Sequence, residues 1–129
     1  MNIPQELRYT STHEWAKAEA KDVLVGLTAH AQEELRDVVY VELPAVGKTL
    51  KQGEPAAVVE SVKAAFDIYA PVSGTIARIN TEVSKTPQLV NADCYGKGWL
   101  FAITPSNAQD FMTLLAPDAY AKLTQTPAH

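Results

Sequence analysis

A chain of 129 residues that is 47% hydrophobic can bury a real core in one domain and is too apolar to remain disordered. Its formal net charge of −4, with no Lys/Arg cluster, excludes electrostatic attraction to nucleic acid, and no apolar run approaches membrane-spanning length. The only cysteine, Cys94, excludes an intrachain disulfide, and residues 1–6 lack the basic and apolar regions of a signal peptide; this points to a soluble protein of a reducing compartment, most simply a bacterial cytoplasm.

Residues 23–27 read as the first clear strand. Thr28 can then N-cap a helix over residues 29–35, because its hydroxyl can accept an orphan amide of the first turn. A second strand covers residues 38–43 and ends at Pro44-Ala45-Val46-Gly47. Two apolar β-forming runs flank Lys63, and the second enters Pro71-Val72-Ser73-Gly74. Residues 75–79 and 99–103 are further strands. Ser106 with Gln109 three residues later reads as a capping box before residues 111–115, and Pro117 suits the first position of a helix over residues 118–123. A helical segment thus covers about 106–124, with residues 124–129 as a frayed tail. Short strands punctuated by Pro and Gly predict an antiparallel sandwich or barrel.

Residues 41–47 resemble residues 68–74, each a strand entering a Pro-x-x-Gly turn at a constant offset, 71 − 44 = 74 − 47 = 27. A unit that cannot bury its apolar face alone predicts that the two pack on each other, with Lys63 between them. If the runs on either side of Lys63 pair as a hairpin, the lysine stands at the tip. That position is poor for packing and good for an enzyme that grips both strands and acylates the amine.

The stretch Glu60-Ser61-Val62-Lys63-Ala64 followed by Asp67-Ile68-Tyr69-Ala70-Pro71-Val72-Ser73-Gly74 resembles the lipoyl-attachment site of the glycine cleavage system H proteins. The likeness extends through Ser11-Thr12-His13-Glu14-Trp15, Gly26-Leu27-Thr28-Ala29-His30-Ala31-Gln32, Val41-Glu42-Leu43-Pro44, Gly47, Leu89-Val90-Asn91 and Gly98-Trp99, nearly the whole chain. Biotinyl domains share a hairpin lysine but usually flank it with methionine, where Val62 and Ala64 stand here. Arg36 replaces a glycine that often ends the first helix, Phe66 stands where smaller residues are common, and Cys94 replaces a frequent proline.

The resemblance implies a β-sandwich of the barrel-sandwich hybrid type with short helices, and a carrier without a catalytic centre. It implies covalent lipoate on Lys63, attached by a lipoate ligase or lipoyl transferase. It also implies exchange with three enzymes: the glycine decarboxylase P protein, which loads an aminomethyl group, the aminomethyltransferase T protein, and the dihydrolipoamide dehydrogenase L protein. A lipoate relay protein, donating lipoyl groups to other lipoyl domains, would carry the same lysine and fold.

The cationic amine of such a cargo can form a charge-assisted hydrogen bond with a carboxylate, and Glu14 and Asp67 are the candidates near the arm. Leu27, Ala31 and Leu35 can supply an apolar wall for the arm or can simply face the core, Ala31 and Leu35 being one helical turn apart. His13 and His30 have no Ser or Cys in a nucleophile motif beside them, and no His, Cys and carboxylate set shows metal spacing along the chain, so neither catalysis nor a metal is expected.

Overall fold

The computed structural model describes residues 3–125. Its strands are β1 (Arg8–Tyr9), β2 (Glu14–Glu19), β3 (Asp22–Leu27), β4 (Val38–Glu42), β5 (Thr49–Leu50), β6 (Pro55–Ser61), β7 (Ala65–Tyr69), β8 (Gly74–Ile79) and β9 (Phe101–Pro105). Its helices are α1 (Ala29–Leu35), α2 (Thr81–Lys85), α3 (Leu89–Ala92), α4 (Gln109–Met112) and α5 (Pro117–Gln125). The strands form a six-stranded sheet, β1-β2-β3-β9-β8-β5, and a three-stranded sheet, β4-β6-β7, with every pairing antiparallel. This is the expected β-sandwich with short helices.

Side-chain alternation sorts the residues between two cores. On β3, Val23, Val25 and Leu27 enter the main core with Val41, Val59, Ile68, Ile76 and Phe101. Leu24, on the opposite face, packs with Leu7, Tyr9, Trp15 and Tyr120 in a smaller aromatic cluster under α5. There the Tyr9 and Tyr120 rings stack with centroids 4.6 Å apart.

The expected repeat has a structural counterpart. β4 and β7 both flank β6 in the small sheet, and each leads through its Pro-x-x-Gly turn into the large sheet. The strands so reached, β5 and β8, pair directly, Thr49 opposite Thr75 and Leu50 opposite Gly74. The two glycines serve different ends. Gly47 takes φ +92° in open space, whereas a Cβ on Gly74 would run into the carbonyl oxygen of Thr104 on β9.

Thr28 caps α1 as its hydroxyl chemistry predicts, accepting the Ala31 amide at 3.2 Å, and Pro117 opens α5. The capping box does not form. α4 begins only at Gln109, whose amide is taken by the Asn107 side chain at 3.0 Å, while the Ser106 amide donates to the Ser73 carbonyl. Nor is the C-terminal segment one helix: between α4 and α5, Leu115 exchanges backbone hydrogen bonds with Tyr9 at 2.9 and 2.7 Å. α5 runs past Thr124 to Gln125, so the expected fraying does not begin at Thr124, and residues 126–129 lie outside the described residues.

Arg36 ends α1 at φ 68°, ψ −144°, a conformation that suits glycine. It is held there because its amide donates to the Gln32 carbonyl at 3.0 Å and its carbonyl accepts from Asn91 Nδ2 at 2.6 Å. Such strain costs about 1–3 kcal/mol, against about 0.4–1 kcal/mol that glycine loses through the unfolded chain. Arg36→Gly is therefore expected to raise unfolding free energy by about 1 kcal/mol in urea titration. An unchanged or lower midpoint would remove the strain assignment.

Candidate functional site

Lys63 stands at the tip of the β6–β7 hairpin, whose register pairs Glu60 with Ala65 and Val59 with Phe66. Ser61 builds the tip. Its amide donates to the Ala64 carbonyl at 2.7 Å, and its hydroxyl accepts from the Lys63 and Ala64 amides at 3.1 and 3.0 Å. The Val62 amide donates to the Asp37 carbonyl at 3.2 Å, tying the tip to the turn after α1. The tip backbone is thus fixed on both sides while its side chains face water: Lys63 is exposed and Val62 is 72% exposed. Among the described residues, none forms an ion pair with the Lys63 ammonium. A shallow cleft of about 330 Å³ beside it is lined by His30, Glu33, Glu34 and Arg36.

The hairpin has two faces. Phe66 and Ile68 turn inward, Ile68 into the core and Phe66 packed against it, so Phe66 belongs to the core side of the hairpin. Ala65, Asp67 and Tyr69 alternate with them on the outer face. Four residue steps from Ala65 to Tyr69 span about 13 Å. Tyr69 lies on a larger cleft of about 490 Å³, lined also by Thr10, Thr12, Glu14, Gln52 and Thr113.

Glu14 is fully buried, for a reason visible in the register. It pairs with Leu27, whose side chain points into the core, so Glu14 points between the sheets as well. Its carboxylate accepts from the Thr10 hydroxyl, from the Thr12 hydroxyl at 2.5 Å, and from the Tyr69 amide at 3.1 Å. β7 is an edge strand, and Glu14 of the other sheet caps this edge amide. Burial pushes the Glu14 carboxyl above the ordinary carboxylate range, and the hydroxyl and amide donors oppose that shift. With its own backbone amide as a fourth donor, the roughly four acceptor positions of the carboxylate are taken.

The structure places Glu14 buried between the sheets at the Tyr69 end of β7, and Asp67 exposed on the outer face of that strand, between Tyr69 and Lys63. It does not make an arm wall of Leu27, Ala31 and Leu35. All three are 0–1% exposed in the main core, because the apolar stripe of a short helix is consumed in covering the sheet. Cys94 is also buried, its thiol pushed up to about 11 by burial, which leaves it a poor nucleophile.

Spacing along the chain hid one group. His13 takes φ 72° in the loop before β2, and its carbonyl accepts the Thr28 amide at 3.1 Å. That bond sets its ring against His30, with centroids 4.4 Å apart, and His30 Nε2 lies 3.1 Å from Glu34 Oε1. One donor atom from each of His13, His30 and Glu34 falls within 4.8 Å of the others, which corrects the expectation that no metal-spaced set exists. Only the His30–Glu34 spacing of four residues was visible in sequence.

Among the described residues, no helix is long and apolar enough to cross a membrane. The family model for the glycine cleavage H-protein matches residues 7–127. A glycine cleavage system H protein of Thermus thermophilus is 52% identical over 128 residues, 99% of this chain and all of that one. One from Acinetobacter baumannii is 53% identical over 120 residues, 93% of this chain and 97% of that one. The crystal structure of a glycine cleavage system H protein from Mycobacterium marinum superposes with a TM-score of 0.87 at 38% identity, over 95% of this chain and 98% of that one.

Proposed function

Because this chain belongs to the glycine cleavage H-protein family, the lipoyl carriers of the glycine cleavage system and not catalysts, we propose that Lys63 is its lipoyl-attachment residue and that the loaded arm rests along β7 toward Glu14. The observation that carries the assignment is the tip itself, a rigid turn presenting an exposed lysine with no ion-pair partner among the described residues. A lipoate ligase or lipoyl transferase can grip both strands of such a hairpin and acylate Nζ. When bound, the lipoyl group would supply two sulfurs whose S–S bond opens, one carrying the aminomethyl group between enzymes and the other left as a thiol. The partners are then the glycine decarboxylase P protein, the aminomethyltransferase T protein and the dihydrolipoamide dehydrogenase L protein. The bacterial relatives and the lone buried cysteine support a place in the bacterial cytoplasm.

The geometry of β7 supports such a docking track. Lysine plus lipoyl chain reaches on the order of 10–15 Å at about 1.5 Å per bond. That matches the length of the outer face of β7, on which Asp67 lies and at whose far end the Tyr69 amide meets Glu14. A cationic amine would meet Asp67 on the way and, at the end, the cleft that Tyr69 and Glu14 line.

A partly exposed charge contact is worth about 1 kcal/mol, roughly a five-fold change in docked population. Asp67→Asn is accordingly expected to leave lipoylation intact and to speed spontaneous loss of the aminomethyl group by up to about five-fold, read by mass spectrometry of the isolated loaded carrier. Glu14→Gln should act in the same direction, with its melting temperature recorded because the side chain also bridges the sheets. Cargo lifetimes equal to the parent's in both variants would dismiss the track and leave the Lys63 assignment standing.

A further inference from the structure

We propose that His13, His30 and Glu34 form a three-ligand site for a divalent d-block ion of the zinc class, beside Lys63. Their donor atoms already lie within 4.8 Å of one another. Zinc binds imidazole nitrogen at about 2.0–2.1 Å and carboxylate oxygen at about 2.0–2.2 Å, so tetrahedral donors sit roughly 3.4 Å apart. Closing from one spacing to the other takes a movement on the order of 1 Å. His30 Nε2 and Glu34 Oε1 are already 3.1 Å apart, so the remaining adjustment is between His13 and that pair.

Two segments present the donors, and the fold fixes both. His30 and Glu34 are one turn apart on α1 and share a face. His13 comes from the loop before β2, held by its carbonyl to the Thr28 amide at the residue that caps α1. Two imidazoles at 4.4 Å would repel if both were protonated.

His13 also has the outer partner that metal-bound histidines carry. Its Nδ1 is 2.8 Å from the Tyr120 hydroxyl, which is 2.7 Å from Thr28 Oγ1. In the ligating tautomer Nδ1–H donates to Tyr120, Tyr120 donates to Thr28, and Nε2 keeps its lone pair for the ion. Two imidazoles and one carboxylate suit zinc, and also copper or nickel, better than calcium or magnesium. Three protein ligands leave a fourth position for water. Arg36 and Lys63 line the same cleft, so coordination rather than net negative charge would have to hold the ion.

The test uses the full, unlipoylated chain stripped with chelator, so its outcome is independent of the carrier assignment. Zn²⁺ is titrated by calorimetry, and Co²⁺ is followed by its visible absorption, which is intense only for low-coordinate geometry. The expected result is saturable binding of one ion that raises the thermal midpoint. His30→Ala and Glu34→Gln should each weaken that binding by at least about tenfold. The exposed Glu34 makes its variant safe for folding. No saturable binding, or binding that neither variant weakens, would overturn the site; the second result would place the ion on other groups, His129 included.

Discussion

Lys63→Arg is expected to abolish lipoylation completely while leaving stability within about 0.5 kcal/mol of the parent. The loss follows from chemistry. An amine must shed its proton to attack an activated acyl group, and a guanidinium does not deprotonate in proteins. The preserved stability follows from placement. The Lys63 side chain is exposed, has no ion-pair partner among the described residues, and contributes to the tip only through its amide, which any residue but proline supplies to Ser61 Oγ. The check is intact mass after incubation with a lipoate ligase, lipoate and ATP, beside thermal melts of both proteins. A lipoyl mass on the variant would move the attachment to another lysine. An unmodified variant that also melts far below the parent would show that the side chain is structural.

The largest effect on stability is expected at Trp15. Its side chain is buried, its Nε1–H donates to the Cys94 carbonyl at 2.8 Å, and it lies across the strand pair from Gly26. A Cβ on Gly26 would come within 2.6 Å of the indole ring, so the glycine is where it is because the ring is where it is. Trp15→Ala removes a large buried side chain and leaves a carbonyl without its donor, a cost of about 3–5 kcal/mol. That lowers the melting temperature by roughly 10–20 °C for a chain of this size.

Gly26→Ala alone is an overpacking change worth about 1–3 kcal/mol. In the Trp15→Ala background the methyl meets space, and the cost should fall below about 1 kcal/mol. Urea titration of the four proteins closes the cycle. Equal costs of Gly26→Ala in both backgrounds would show that something other than the indole demands the glycine.

These two predictions differ in how much of their basis was legible in sequence. The run of β-formers on either side of Lys63 and the turn chemistry beyond it are local, and local patterns read directly: the flanking strands formed as β6 and β7 with Lys63 at their tip. The Thr28 cap and Pro117 read correctly for the same reason, since each acts within one turn of itself. The Trp15–Gly26 contact was not legible, because it depends on which residue of β3 stands opposite Trp15. Neither were α2 and α3, which are too short for a periodic signal. Asn80 caps α2 while its side-chain amide holds the carbonyls of Lys97 and Trp99, partners visible only once those loops are near.

By itself, then, the sequence determined the strand-rich class, most strand positions, the place of Lys63 between two pairing runs, and the family likeness. Propensity, alternation and turn residues act over a few neighbours and survive without any tertiary context. What each side chain meets was decided by the sheets. Alternation says that Glu14 and Trp15 point opposite ways, but only the pairing with Leu27 sends Glu14 between the sheets to the Tyr69 amide, 55 positions away. Helical spacing puts Ala31 and Leu35 on one face, but only packing consumed that face as core instead of leaving it for a ligand. His13 and His30 are 17 positions apart, and one backbone hydrogen bond across the strand ends places their rings together. Contacts of this kind depend on register between distant segments, and no residue carries a mark of its partner until the chain has closed around it.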